Sequence, residues 1–112
     1  MHGVIRKYSG KGANDFFNLL QKRKSEVENA FRPVKGFVSY TLVHCGDGGF
    51  SVTICQDKAG ADESVRVARD WIVNNAENTG VGAPQVSEGS VIIHMDGHRR
   101  RTLLERVPAT RP

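Results

Sequence analysis

The sequence predicts one α+β domain whose elements follow the order β-α-β-β-α-β. Three observations carry this prediction. The chain has 112 residues, the length of one domain; two of its segments have apolar residues at helical spacing; and a β-hairpin pattern lies between those segments. With 38% apolar and 25% charged residues, the composition is typical of a globular chain, and we expect a core that needs no disulfides.

The first two predicted elements are a strand over residues 2–8 and a helix over residues 13–31. The strand contains Val, Ile and Tyr and is followed by a glycine-rich turn. In the second segment the apolar residues recur with a helical period, which only the polar run 21–26 interrupts. The helix must end before Pro33, because a proline disfavours the helical conformation in the residue before it.

The clearest local pattern is a β-hairpin formed by residues 36–45 and 50–56. Both segments are rich in β-branched and aromatic residues. Between them lies Asp47-Gly48, a pair that a type I′ turn prefers because both of its central residues need positive φ. We therefore expect these two residues to form the turn.

The predicted register divides the hairpin into two faces. One face carries Val43, Val52 and Ile54, and we expect the helices to cover it. The other face carries Val38, Tyr40, Leu42 and His44, together with Ser51, Thr53 and Cys55. If the helices cover the first face, the second face is left without a cover. It is too apolar to remain exposed to water, so the pattern predicts a partner sheet against it. The same register places Cys45 and Cys55 on opposite faces, which excludes a disulfide between them.

The remaining elements are a helix over residues 58–78 and a last strand over residues 85–95. Asp57 and Asp62 are both reasonable N-terminal caps for the helix. In the last strand, Val91-Ile92-Ile93 is the segment that we expect to be most buried.

This order predicts a ferredoxin-like domain over residues 1–96, with two helices on one face of a four-stranded antiparallel sheet. Residues 97–112 are predicted to form a basic C-terminal tail. The formal net charge is +4, but residues 37–96 carry three Lys/Arg against eight Asp/Glu. The basic residues thus lie towards the two ends of the chain rather than on the body of the fold, which makes nucleic acid an unlikely partner.

The sequence contains neither a membrane-spanning apolar run nor a secretory signal at its start. Its two cysteines form no C-x-x-C pair. From these features we expect a cytoplasmic, reduced protein that has no contact with membranes.

Residues 36–64 and Trp71-Ile72 resemble small antibiotic-biosynthesis-monooxygenase-like domains of the dimeric α/β-barrel superfamily, and the resemblance covers residues 2–95. It implies a homodimer in which two sheets pair into a barrel and a small ligand lies between sheet and helices. It also implies cofactor-free oxygenation of phenolic substrates or haem breakdown as activities. The haem-degrading relatives use an Asn, Trp and His set. This chain has Trp71 but no asparagine in its first strand, so no catalytic residue is carried over.

The candidate ligand-binding residues are Tyr8, Tyr40, His44 and Trp71. An aromatic wall with a few polar groups is typical of small-molecule sites, although core packing would explain a tryptophan or tyrosine equally well. His44 has the proton affinity that acid-base chemistry requires, or it is simply solvated. Arg6 shares a strand face with Tyr8, so either residue could orient an anionic or phenolic ligand, or could extend to the surface.

No motif for a cofactor or metal stands out. His94-x-Asp96-x-His98 has the alternation that could present three ligands on one strand face, but Gly97 interrupts the strand. Gly10-Lys11-Gly12 and Gly80-Val81-Gly82 match no nucleotide-binding fingerprint. We therefore expect no cofactor.

The sequence thus favours a homodimeric barrel that acts as a cofactor-independent monooxygenase on a small aromatic or phenolic compound. One alternative is a non-catalytic ligand-binding or structural dimer. A second is an RNA-binding module that uses the sheet face, since such modules share this topology. Gly49-Phe50-Ser51-Val52-Thr53-Ile54 offers only one aromatic residue for base stacking, which disfavours the RNA alternative.

Overall fold

The computed structural model describes residues 1–97. Its elements are β1 (His2–Tyr8), α1 (Ala13–Lys22), α2 (Lys24–Phe31), β2 (Phe37–Cys45), β3 (Gly48–Cys55), α3 (Lys58–Asn75), a 3₁₀ turn (Glu77–Thr79) and β4 (Gln85–Ser90). The four strands form one antiparallel sheet in the order β2-β3-β1-β4, and the helices cover one of its faces. The predicted ferredoxin-like arrangement is confirmed.

The single helix predicted over residues 13–31 is in fact two helices that meet at Arg23. This residue leaves the helical conformation, with φ −114° and ψ 32°. Its guanidinium donates to Glu26 in the next turn and, at 2.9 Å, to Asn75 Oδ1 on α3. Apolar spacing alone does not reveal this break, because the buried residues on either side of it keep a helical period.

The hairpin turn lies one residue earlier than predicted. Cys45 pairs with Gly48, so the two turn residues are Gly46 and Asp47, and Gly46 has φ 36°. Gly48 and Gly49 instead belong to β3. A Cβ on Gly49 would overlap the Val43 carbonyl oxygen and lie 2.6 Å from Phe17 Cε2. The glycines at 48 and 49 therefore serve close packing inside the sheet and against α1 rather than the turn itself.

The helices cover the opposite sheet face from the one expected. Because the turn lies one residue earlier, the pairing of β2 with β3 is shifted by two residues from the predicted one. A shift by an even number keeps each residue on its predicted face, so Tyr40, Leu42 and His44 still lie on one side with Ser51 and Thr53. That side faces the helices, however. Strand β1 explains the choice, because Val4, Arg6 and Tyr8 alternate into the buried layer while Ile5 stays 45% exposed on the outer side.

The core between sheet and helices is aromatic on its α1 side. Its buried members are Tyr8, Ala13, Phe16, Phe17, Leu20, Val27, Phe31, Ala68 and Ala76. The rings of Phe16 and Phe17 meet edge to face with centroids 5.7 Å apart, and Phe16 lies 4.9 Å from the Tyr8 ring. This cluster holds α1 against β3 and the end of β1, and it borders the neighbouring cavity.

The last strand is shorter than predicted and ends at Ser90. Ile92 is 93% exposed and Ile93 is 77% exposed, so the expectation that Val91-Ile92-Ile93 is the most buried segment is wrong. Val91 keeps one backbone hydrogen bond, from its N–H to the Met1 carbonyl oxygen at 3.0 Å. At the start of α3, the Asp57 carboxylate accepts from the Gly60 N–H at 3.0 Å, so Asp57 is the cap.

Among residues 1–97, no helix combines the length and the apolar character that a membrane crossing requires. Cys45 is exposed and Cys55 is buried, and both are free thiols. This agrees with the prediction that the two cysteines lie on opposite faces of the sheet and form no disulfide. The basic tail predicted over residues 97–112 lies outside the described residues except for Gly97.

Candidate functional site

A cavity of about 600 Å³ lies between α1, α2 and the edge strand β2. Apolar and aromatic side chains form most of its wall, and a few polar groups lie at its rim. The lining residues are Phe17, Leu20, Gln21, Lys24, Val27, Glu28, Phe31, Arg32, Phe37, Ser39, Tyr40, Leu42 and His44. Its volume lies within the range of roughly 300–1,000 Å³ that small-molecule sites occupy.

Two aromatic stacks form the cavity wall. At one end, the ring of Phe17 on α1 stacks on the imidazole of His44 with centroids 5.3 Å apart. At the other end, the Phe31 ring on α2 stacks on Tyr40 at 4.4 Å and on Phe37 at 6.5 Å. Tyr40 and His44 lie four residues apart on one face of β2, which separates their backbones by about 14 Å.

His44 is held at the cavity rim by a hydrogen bond to α1. Its Nε2 lies 2.6 Å from Asn14 Oδ1. An amide oxygen only accepts, so Nε2 is the donor in this pair, and the lone pair of the neutral ring lies on Nδ1. His44 therefore offers one proton-accepting nitrogen.

A second, smaller cavity of about 20 Å³ lies at the inner end, behind Tyr40. It shares Leu20, Val27, Phe31, Tyr40 and Leu42 with the large cavity, so the two are neighbours. The residues that line only the smaller one include Arg6, Tyr8, Ser51 and Trp71.

Arg6 is the unusual residue of this inner cavity, because its side chain is only 2% exposed. Nη2 donates to Thr53 Oγ1 at 3.0 Å, and the guanidinium carbon lies 5.7 Å from the centroid of the Phe31 ring. Nη1 and the nearby Ser51 Oγ are buried without a hydrogen-bond partner among the described residues. The alternative that Arg6 extends to the surface is thereby excluded.

The two tyrosines of this region keep their protons over the ordinary pH range. Burial raises the pKa of Tyr40 to about 12, although the charge of Arg6 opposes the shift. Burial likewise raises the pKa of Tyr8, again against the effect of Arg6. Both hydroxyls can therefore donate hydrogen bonds, but neither is suited to accept a proton as a base.

Trp71 lies on α3 and does not line the large cavity. Its ring packs partly against the core, and the Arg23 guanidinium carbon lies 5.3 Å from the ring centroid. The structure thus brings Tyr40 and His44 onto one wall of the large cavity, and it brings Tyr8, Tyr40 and Trp71 around the inner one.

Sequence reasoning missed the helical half of the site. Phe17 and Phe31 form the stacks with His44 and Tyr40, and Asn14 holds the His44 ring. The aromatic residues at helical spacing within residues 13–31 could have indicated these partners, but the same spacing is equally typical of residues that only pack in the core. Within residues 1–97, no group of three or more His, Cys, Asp or Glu side chains could hold a metal ion, and His98 of the proposed triplet lies outside the described residues.

Neither a family model nor a curated protein matches the sequence, whereas several solved structures share the fold. The haem-degrader MhuD from Mycobacterium tuberculosis, a structure with two haems in its active site, matches with a TM-score of 0.61 and 17% identity over 86% of this chain and 100% of that one. SnoaB, a cofactor-independent oxygenase from Streptomyces nogalater, matches with a TM-score of 0.59 and 14% identity over 84% of this chain and 95% of that one.

A dimeric ferredoxin-like protein from an uncultured marine organism matches with a TM-score of 0.52 and 8% identity, over 85% of this chain and 95% of that one. At these identities the likeness concerns the fold. The fold implied by the resemblance of residues 36–64 is confirmed: the chain shares the ferredoxin-like α+β architecture of these solved structures.

Proposed function

We propose that the chain binds a small phenolic compound in the cavity between α1, α2 and β2 and oxygenates it with O₂. The observation that carries this proposal is the cavity itself, about 600 Å³ in volume, with an aromatic stack at each end and a proton acceptor, His44, at its rim. The likeness to the cofactor-independent oxygenase SnoaB supports the same chemistry.

The reaction that fits these groups converts a phenol and O₂ into a quinone and water. The phenolate supplies electrons to O₂, and a carbon–oxygen bond forms at the ring carbon para to the oxygen. The resulting hydroperoxide then loses the hydrogen of that carbon as a proton and releases hydroxide, which leaves a carbonyl group. One oxygen atom stays in the quinone and the other becomes water, so O₂ accepts the four electrons that the ring loses.

His44 is the side chain suited to accept a proton in this reaction. Its Nδ1 carries the free lone pair, since Nε2 donates to Asn14 Oδ1. Tyr40 is unsuited to that role because burial raises its pKa to about 12. Tyr40 instead stacks on Phe31, and its protonated hydroxyl can donate a hydrogen bond.

Oxygen uptake in the presence of hydroxylated naphthalenes and anthracenones tests this proposal. Isotopically labelled O₂ should place one labelled atom in the quinone and one in water. His44→Gln should lower turnover by about 100-fold or more, since a positioned base contributes that much. His2→Gln is the matched control, because His2 bonds Glu88 at 2.8 Å and lines neither cavity. Uptake that is absent, or equal in the two variants, would contradict the proposal.

The likeness to MhuD makes haem the alternative ligand of the large cavity. A haem titration followed by absorbance separates the two. A Soret shift that His44→Gln abolishes would favour haem, whereas a phenol that binds with no oxygen uptake would favour a non-catalytic binding protein.

We further propose that the chain forms a homodimer through the outer face of its sheet. Ile5 and Val43 are exposed there, and Phe50, Val52 and Ile54 are half-buried. An isologous contact pairs the same patch on two copies, which suits one continuous apolar face. The similar marine protein is described as dimeric. Phe50 is the single aromatic residue among those five, so RNA, which stacks on two or three aromatic side chains, fits this face less well.

A further inference from the structure

Arg6 is a buried cation for which the described chain supplies no anion. None of the ion pairs within residues 1–97 includes it. A guanidinium stays charged in proteins, and a charge removed from water is costly unless something compensates it. Strained or uncompensated groups of this kind are retained mainly where a ligand uses them.

The unsatisfied donors point to the same small space. Arg6 Nη1 and Ser51 Oγ both lack a hydrogen-bond partner among residues 1–97, and both residues line the inner cavity of about 20 Å³. That volume exceeds the roughly 10–15 Å³ that one water-sized oxygen requires, but it is too small for a ring. Tyr40 lines both this space and the large cavity.

We propose that Arg6 and Ser51 form an oxyanion site, with Tyr40 at its entrance, and that the substrate of the large cavity binds there as a phenolate. The phenolate oxygen occupies the inner cavity, where it accepts from Arg6 Nη1 and Ser51 Oγ. The rings extend through the large cavity towards His44. This inference rests on the proposed function and adds to it the ionisation state and the orientation of the substrate.

This orientation keeps the phenolate oxygen in the inner cavity and the rings in the large one. Arg6 then stabilises the anion that reacts with O₂. His44 lines the large cavity and is the proton acceptor there.

The charges around Arg6 favour an anion from outside. Arg6 acts on the pKa values of Tyr8 on β1, Tyr40 on β2 and Cys55 on β3, which are all neutral near pH 7. The charged side chains that α2 adds to the wall of the large cavity are Lys24, Glu28 and Arg32. From α3, Arg69 lines a further cavity that also reaches Arg6, and it adds positive charge. No carboxylate within residues 1–97 forms an ion pair with Arg6 and so competes with a bound phenolate.

The test uses para-nitrophenol, whose phenolate absorbs visible light while its neutral form does not. Bound to the wild-type protein, the probe should ionise at a pH at least about one unit lower than in buffer, which corresponds to a preference of about tenfold for the anion. In Arg6→Met the bound probe should ionise at or above its pH in buffer. In Ser51→Ala the pH at which the bound probe ionises should lie between the wild-type value and the Arg6→Met value.

Arg6→Met replaces a buried charge by an apolar side chain of similar length, so the variant should fold and melt at the wild-type temperature or higher. Far-ultraviolet circular dichroism and thermal melting check this, and Arg6→Lys offers a variant that keeps a charge at the position.

Chloride at increasing concentration should not displace the probe from the wild-type protein.

The outcomes separate this inference from the proposed function. A probe that binds wild type and Arg6→Met with the same ionisation pH overturns the oxyanion site and leaves the aromatic cavity standing. Displacement of the probe by chloride also overturns it, because the site would then hold a simple inorganic anion. A probe that binds neither protein overturns the proposed function itself.

Discussion

At the scale of single residues, burial decides what each polar group of the site can do. Tyr40 and His44 lie on one strand face, but burial raises the pKa of Tyr40 to about 12, so Tyr40 is unsuited to act as a base near neutral pH. The same burial turns Arg6, which the sequence leaves open between surface and ligand, into a cation enclosed by Thr53, Phe31 and the two tyrosines.

The raised pKa of Tyr40 predicts a loss of stability at alkaline pH. The folded state binds this proton more tightly than the unfolded chain does, so the stabilisation is complete below the unfolded pKa of 10.0 and is lost as the pH rises to about 12. The shift corresponds to about 3 kcal/mol of free energy of unfolding. Burial also raises the pKa of Tyr8, so its ionisation adds a further loss of stability at alkaline pH.

Denaturant melts at several pH values between about 9 and about 12 measure this effect. Tyr40→Phe should lose clearly less stability over that window than the wild type, while Tyr8 continues to ionise in both. An alkaline loss of the same size in the variant and the wild type would show that Tyr40 is not protected by burial.

The candidate site could be predicted from the sequence in part. The alternation of β2 places Tyr40 and His44 on one face, and that relation survives the shift of the hairpin register because the shift is an even number of residues. The partners on the helices could not be predicted, since Phe17 and Phe31 have the spacing of ordinary core residues. Trp71 was predicted at the ligand, but it lines only the inner cavity.

At the scale of elements, polar contacts decide where helices and strands end. The break between α1 and α2 occurs where Arg23 turns to Glu26, Asn75 and Trp71. Strand β4 ends at Ser90 although apolar residues follow it, so apolar character alone does not extend a strand that has no further ladder partner within residues 1–97. Both errors concern boundaries, whereas the type and the order of the elements follow from periodicity and are correct.

Arg23 is predicted to hold α2 against α3. Arg23→Ala removes the contact with the Trp71 ring and the hydrogen bond to Asn75, so Trp71, the single tryptophan of the chain, becomes more exposed. Its fluorescence emission should shift to longer wavelength, and the melting temperature should fall slightly. Arg66→Ala is the matched control, because Arg66 bonds only Glu63 and Asp70 within its own helix. Equal emission spectra for the two variants would mean that Arg23 does not shield the indole.

At the scale of the whole molecule, one face of the sheet carries the site, and the other is apolar and has no helix of residues 1–97 packed on it. The sequence predicts that a bare apolar face requires a partner, but it misassigns the side. The helices pack against Tyr40 and Leu42, which are half-buried, and the outer face carries Ile5, Val43 and the apolar residues of β3. The assignment depends on β1, whose buried arginine no hydrophobicity pattern would place inside.

The proposed homodimer predicts that a charge on the outer face separates the two copies. Ile5→Lys should raise the dissociation constant of the dimer by about 100-fold or more, since burying an unpaired charge costs several kcal/mol. Val73→Lys, an equally drastic change at an exposed site on α3, should leave the dimer intact. Light scattering after gel filtration gives the mass, and a wild-type mass close to the 12.3 kDa of one chain would contradict the dimer.

The central claim is that the cavity between α1, α2 and β2 takes an aromatic ligand. The most direct measurement is a titration of the isotopically labelled protein with α-naphthol, followed by amide nitrogen-proton NMR spectra. The account predicts saturable shifts concentrated in Phe17, Leu20, Phe31, Tyr40 and His44, with the exposed residues Ile92 and Ile93, which follow β4, unchanged. Shifts confined to the outer face, or no saturable shifts, would contradict it.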